Sequence, residues 1–214
     1  MDVVIAGGHG QIALRLARIL SGRGDRVRSI IRNPDHAADV SGAGAEPVVF
    51  DLEGDGDLAA EVRGADAVVF AAGAGPGSGP ERKRTVDLGA AVKLIDAAKA
   101  AGVNRYLMVS SIGADNPAGG SEAMRPYLEA KAAADAAVVD SGLEYTIVRP
   151  GGLTDDSPTG LVEIGAAVER GQIPRGDVAA VIAACLAEPK TIGLTFEVVS
   201  GEDQVELALA RAAG

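Results

Sequence analysis

The chain reads as an α/β protein, a doubly wound and mostly parallel sheet of about seven strands with helices on both faces. Three observations predict this. Short apolar runs alternate with segments of helical periodicity along the sequence. Most of those runs are continuously apolar rather than apolar at every second position, the pattern of strands covered on both faces. Aromatic residues make up only 3% and there are 29 glycines, a composition that lets helices lie close on a sheet through small side chains.

Taken in order, "DVVIAG" (2–7) is the first strand and is followed by a helix over 10–22. "RVRSII" (26–31) and "PVVF" (47–50) are the next strands, with a helix expected over 56–63. "AVVFAA" (67–72) precedes the loop "AAGAGPGSGP" (71–80), whose glycines and prolines interrupt any regular element. A helix over 81–101, the strand "RYLMVSS" (105–111), a helix over 123–141 and the strand "YTIVRP" (145–150) continue the alternation. Helices are expected over 158–170, 176–187 and 203–212, with a last strand "LTFEVVS" (194–200).

A chain of 214 residues suits one domain with one sizeable core. We expect a single domain over 1–214, with a small substrate-cleft region within 152–214. The formal net charge is −10, which opposes nucleic-acid phosphates and anionic lipid. The expected partner is a small-molecule substrate, with no nucleic acid and no membrane, for a monomer or homodimer. The one cysteine, Cys185, lies in the apolar run "VAAVIAACLA" and reads as a buried hydrophobe. The start "MDVVIAGG" carries no leader pattern, so a cytoplasmic protein is expected.

"VVIAGGHGQIALRLARIL" places Gly7, Gly10 and Ala13 between an apolar strand and an amphipathic helix. Gly7 permits the tight turn, Gly10 lets the backbone approach a pyrophosphate, and Ala13 allows close helix–strand packing. The N–H groups that open the helix can receive phosphate oxygens. This is the dinucleotide corner of a Rossmann fold. The second strand closes with Arg32 in "SIIRNPDH" rather than with a carboxylate, which favours a 2′-phosphate and hence NADP(H) over NAD(H). Asp51, in "VVFDLEG", is placed either to accept from an adenine amino group or to cap a helix. His9 and His36 flank the same region, where protonation would add positive charge.

"YLEAK" sets Tyr127 and Lys131 four residues apart, on one face of a helix. With so few tyrosines and lysines, chance supplies such a pair at ~0.07 per chain. An ammonium beside a phenol favours the phenolate and so equips the tyrosine for proton transfer. Ser110 and Ser111 close the strand in "LMVSSIGAD", and Arg149, Pro150, Gly151 and Gly152 close the next in "YTIVRPGGL".

Together these pieces resemble the atypical short-chain dehydrogenase/reductases, of the NAD(P)H-binding, NmrA-like and epimerase/dehydratase-like kind. The likeness runs in order through "GGHGQIA", "RNPD", "DLEG", "AAG", "VDLGAAVKLIDAAKAAGV", "LMVSSIGAD", "YLEAKAAAD", "SGLEYTIVRPGGLTDD" and "DVAAVIAACL". The resemblance implies that Gly7, Gly10, Gln11 and Ile12 hold the pyrophosphate and Arg32 the 2′-phosphate. It puts Asp51 and Leu52 at the adenine, and Ala71, Ala72 and Gly73 along the inner ribose and nicotinamide. Residues after Pro150 would hold the carboxamide by their backbone. Ser111, ahead of Ser110, would be the active-site serine and Tyr127 the general acid/base. Lys131 would bind ribose and tune the tyrosine. In two places the chain departs from the pattern: Asp87 stands where the wider family has its active-site asparagine, as is usual among the atypical members, and Ala13 stands for the third glycine.

Three functions stay open on the sequence. An NADP(H)-dependent oxidoreductase acting on a small carbonyl-like substrate is favoured by the Ser–Tyr–Lys set. A non-catalytic NADP(H)-binding redox sensor is favoured by Asp87. A sugar-nucleotide epimerase or dehydratase fits less well, because so little chain follows Pro150. The segments 73–80, 112–126 and 152–175, which would shape the substrate site, contain no aromatic residue.

Overall fold

The computed structural model describes residues 1–75 and 77–214; Pro76, in the loop expected over 71–80, lies outside the described residues. The first half alternates strictly: β1 (Asp2–Ala6), α1 (Gln11–Gly22), β2 (Arg26–Ile31), α2 (Ala37–Gly42), β3 (Glu46–Val49), α3 (Leu58–Val62) and β4 (Ala67–Phe70). Next come a short α4 (Pro80–Arg82), a π-helical stretch (Lys83–Ala90), α5 (Ala91–Ala101), β5 (Arg105–Val109), α6 (Arg125–Asp140) and β6 (Glu144–Pro150). The rest of the chain adds β7 (Gly152–Thr154), β8 (Leu161–Gly165), β9 (Gln172–Pro174), α7 (Arg175–Ala187), β10 (Leu194–Ser200), β11 (Asp203–Gln204) and α8 (Val205–Ala212).

Among the described residues nine strands form the main sheet, in the order β11-β8-β10-β6-β5-β4-β1-β2-β3. The strands from β3 across to β10 are parallel; β8 lies antiparallel beside β10, and the short β11 closes the far edge antiparallel to β8. The continuous apolar runs are explained by the two faces they serve. Val3, Ile5, Val69 and Leu107 point into one core with α1, α7 and α8, and Val4, Val68, Phe70, Tyr106 and Met108 into the other with α3, α5 and α6. Ala13 and Ala17 of α1 are fully buried, which permits the tight stacking of α1 against α7.

From β1 the chain winds outward to β2 and β3, then returns to the other side of β1 at β4. The crevice left between the carboxyl ends of β1 and β4 is where ligands bind in such sheets. Gly7 and Ala71–Gly73 stand on its two sides.

Some expected elements differ. The helix expected over 158–170 is not formed: Leu161–Gly165 is a strand, paired antiparallel to β10 through Val162↔Ser200 and Ile164↔Val198. Composition rich in Ala, Val and Glu suited a helix, but Val162 is fully buried while Leu161 and Glu163 face out, a period-two pattern that the open edge of β10 selects. The helix over 81–101 exists, but its first half is wound as a π-helix. The helix over 56–63 shortens to α3, capped by Asp57, which accepts from the Ala59 N–H at 3.0 Å. Asp51 caps no helix; it accepts from Glu53 N–H at 3.0 Å in a turn. Among the described residues no helix is long and apolar enough to cross a membrane.

Candidate active site

The glycine corner is a cradle with no room for side chains. Gly7 has φ +83°, and a Cβ there would lie 2.5 Å from Cα of Ala72. A Cβ on Gly8 would lie 2.5 Å from that of Ser29. Gly8 N–H donates to Ile30 at 2.8 Å and Gly10 N–H to Gly7 at 2.8 Å, which fixes the turn against β2. α1 then begins with no side-chain cap, so the N–H groups of its first turn have no intrahelical acceptor. Such a corner fits a dinucleotide pyrophosphate. Gln11 would contribute through its backbone, because its side chain turns away and accepts from Arg15 at 2.6 Å. Ile12 is buried in the core beneath.

A cavity of about 350 Å³ opens beside the corner, lined by Gly7–Gly10, Arg32, Phe50, Leu52 and Ala71–Gly73 among others. Phe50 and Leu52 give it an apolar floor, and Arg32 and Arg82 stand at its rim. Asp51 is not among the lining residues; its Oδ1 accepts from the Glu53 N–H in the 51–53 turn. The Arg32 guanidinium donates to Glu53 at 3.2 Å, Arg82 lies 3.4 Å from the same oxygen, and Thr85 donates to the other at 2.6 Å. His9 and His36 stack with ring centroids 3.6 Å apart, and His9 bonds Asp39 at 2.9 Å. Gly8, Glu53 and Arg82 were not singled out from the sequence. The doubled glycine of "AGGHG" was a signal for the first, but Glu53 and Arg82 meet Arg32 only once β3 and α4 are folded beside β2. A larger, more polar groove of about 480 Å³ crosses α1 and α2 at Arg15, Arg18 and Asp39; of the expected site residues it holds only Gln11.

Two strands along the same edge, the sheet gathers the remaining candidates. Ser111 follows β5 and is half-buried, its hydroxyl donating to the Ile112 carbonyl at 3.2 Å. Ser110 is committed elsewhere: it donates to Asp135 at 2.9 Å, as does Arg149 at 2.9 Å. Ser111, held by the neighbouring Ile112 carbonyl and not by a buried carboxylate, is the less committed of the two. Lys131 is buried; its ammonium donates to the Val109 carbonyl at 3.0 Å and lies 3.3 Å from Oδ1 of Asp87. It stands 5.9 Å from the centre of the Tyr127 ring and 5.7 Å from that of Phe70. Burial pushes the Lys131 ammonium down, and Asp87 opposes that. Asp135 is pushed up by burial, with Ser110 and Arg149 offsetting part of it. Pro150 is buried at the end of β6 and its carbonyl accepts from Ile112 at 3.1 Å.

The expectation that Lys131 strengthens Tyr127 as an acid is not met. The phenol is pushed up to about 12, by burial first and then by the Asp87 carboxylate, with nearby Ser111 offsetting part of the rise. The lysine charge is shared with a carboxylate, so the tyrosine is not left facing a lone cation.

Elsewhere Asp177 is wholly buried at the start of α7 and accepts from Gly160 N–H at 2.8 Å and Thr159 N–H at 3.0 Å. It pins the turn that leads into β8. Cys185 is buried, as expected, and burial pushes its thiol up to about 12.

Comparison with known proteins agrees with this geometry. A family model described as NAD(P)H-binding matches residues 7–189. The uncharacterized sugar epimerase YhfK of Bacillus subtilis is 39% identical over 213 residues, 99% of this chain and 100% of that protein. A Bacillus halodurans protein named for the NAD-dependent epimerase/dehydratase class superposes with a TM-score of 0.94 at 37% identity, over 99% of each chain. The oxidoreductase ylbE of Lactococcus lactis superposes at 0.88 and 29% identity, over 99% of this chain and 96% of that one. The chain belongs to the NAD(P)H-binding Rossmann family, within its oxidoreductase- and epimerase-like members.

Proposed function

We propose that this protein is an NADP(H)-dependent oxidoreductase acting on a small carbonyl-like substrate. The observation that carries the reading is the convergence of Ser111, Tyr127 and Lys131 on the sheet edge that also holds the glycine corner. The reduced nicotinamide supplies the hydride when bound. Tyr127 Oη gives its proton to the substrate oxygen as the carbonyl carbon is reduced, and water replaces that proton. The Ser111 hydroxyl steadies the same oxygen, and Lys131 holds the ribose. Arg32 and Arg82 at the cavity rim support a preference for the 2′-phosphate.

The names of two relatives suggest epimerisation, one of them of a sugar. Against a bulky sugar-nucleotide substrate stands the use of 151–214, which goes into β7–β11, α7 and α8 and leaves little chain for a separate lobe. A second reading, a cofactor-binding sensor, is favoured by one observation: the Lys131 ammonium is already engaged by Asp87 and the Val109 carbonyl.

The test is calorimetric titration with NADPH and NADH, followed by NADPH oxidation against a panel of carbonyls and quinones. NADPH should bind more tightly. Tyr127→Phe should keep cofactor binding while turnover drops by ~10²–10⁴, and Ser111→Ala should hurt turnover more than binding. A Tyr127→Phe variant that reduces the best substrate at the wild-type rate would remove Tyr127 as the acid and leave the sensor reading.

A further inference from the structure

Asp87 has no role in the chemistry described above, yet it is the most enclosed charge near it. Its residue is 0% exposed. Oδ2 accepts from the Ala74 N–H at 3.3 Å, and Oδ1 makes no hydrogen bond among the described residues but lies 3.3 Å from the Lys131 ammonium. The carboxylate reaches this point from the π-helical stretch Lys83–Ala90, a winding that is rare and widens the turn. It packs directly beneath the cofactor-facing segment, since a Cβ on Gly73 would lie 3.4 Å from Oδ1. Isolated burial of a carboxylate is costly, and it persists here because a buried cation shares the space.

We propose that Asp87 is a positioning residue that neutralises Lys131 and thereby keeps Tyr127 in its protonated, proton-donating form through the neutral range. The proposal rests on the reading of Tyr127 as the acid and adds the group that sets its protonation. Among the described residues, charges from three elements stand around the phenol or near its helix. Lys131 and Asp135 come from its own helix, and Asp87 from the π-helical stretch. Arg149 of β6 is paired to Asp135 at 2.9 Å. Arg170 lies near Gly113, across the cleft. With Asp87 present, the lysine cation is matched by a carboxylate at contact distance. With a neutral residue there, the ammonium loses the carboxylate that opposes its desolvation, keeps the Val109 carbonyl as its acceptor at 3.0 Å, and faces the phenol without its counter-charge, which favours phenolate. The Tyr127 phenol is pushed up to about 12, by burial first, with the Asp87 carboxylate adding to the rise.

The experiment is a pH titration of the protein labelled with carbon-13 at tyrosine Cζ, read by NMR. The chain has three tyrosines, and Tyr127→Phe assigns the relevant signal. In the wild type the Tyr127 signal should not move below about pH 10. In Asp87→Asn it should ionise at least about one pH unit lower. If Asp87→Asn does not fold, Asp87→Ser removes the same charge with less bulk and is read in its place. A wild-type Tyr127 that ionises below about pH 9, or a neutral variant that titrates as the wild type does, overturns the proposal. With an active substrate, kcat/KM for reduction should stay level with rising pH in the wild type and fall at lower pH in Asp87→Asn. The NMR readout needs no turnover. A shifted phenol in a protein that reduces nothing supports the ionic coupling and counts against the reductase reading alone.

Discussion

Glu53 accepts from Arg32 at 3.2 Å and lies 3.4 Å from Arg82, so one carboxylate pairs both guanidiniums that would suit a 2′-phosphate. A phosphate must compete with this carboxylate, whereas a free 2′-hydroxyl need not displace it. Glu53→Gln should therefore tighten NADPH and leave NADH little changed. A charge-assisted contact is worth about 1.5–3 kcal/mol, but Arg32 is 57% exposed at its side chain, so the gain is reduced to several-fold by solvent and salt. Arg32→Asp should act the opposite way and reverse the cofactor preference by about tenfold. Calorimetry on the two variants with both cofactors checks this. If Glu53→Gln weakens NADPH, the carboxylate is orienting the arginines rather than competing with the phosphate.

The glycine turn and β2 fit each other as elements. Gly8 passes so close to Ser29 that a Cβ would meet the Ser29 Cβ at 2.5 Å and its carbonyl carbon at 2.9 Å. Gly8→Ala should then lower stability by about 1–3 kcal/mol through overpacking and weaken cofactor binding by moving the turn. Ser29→Gly in the same chain should recover part of both losses, which a double-mutant cycle by chemical denaturation measures; purely additive losses would show that the turn relaxes elsewhere. This fit marks where the sequence was readable and where it was not. The order of β1 to β6 and the placing of Gly7, Gly10, Tyr127 and Lys131 could be read, because continuous apolar runs and four-residue helical spacing are local signals. β8 could not, because Leu161–Gly165 takes strand form only through the edge of β10. Nor could Glu53, Arg82 and Ser29, whose site contacts join elements distant in sequence. Asp87 was visible as a departure from the family pattern, but its meaning depended on the 3.3 Å approach to Lys131, which only the fold supplies.

For the whole molecule, a net charge of −10 sets a field that opposes any anionic cofactor, and more strongly the one with the extra phosphate. On the proposed reading, binding is won locally, by the N–H groups of the α1 start and by the cations at the cavity rim. Salt acts on these two influences in opposite senses. It screens the long-range repulsion, which helps both cofactors, and it screens the contacts of exposed Arg32 and Arg82, which harms only NADPH. The Debye length is about 10 Å at 0.1 M and about 3 Å at 1 M, so most screening of the distant field is complete at moderate salt. Beyond that point the rim contacts dominate the change. The ratio of NADPH to NADH affinity should therefore fall several-fold between about 0.1 and 0.5 M salt, while NADH affinity itself stays nearly level. Parallel calorimetric titrations of the wild type at the two ionic strengths read the ratio directly. In Arg32→Asp the decline should be smaller, because one of the two cations responsible is gone and Arg82 remains. A wild-type ratio that holds constant with salt would mean that the phosphate is gripped by desolvated backbone donors rather than by the arginines at the rim.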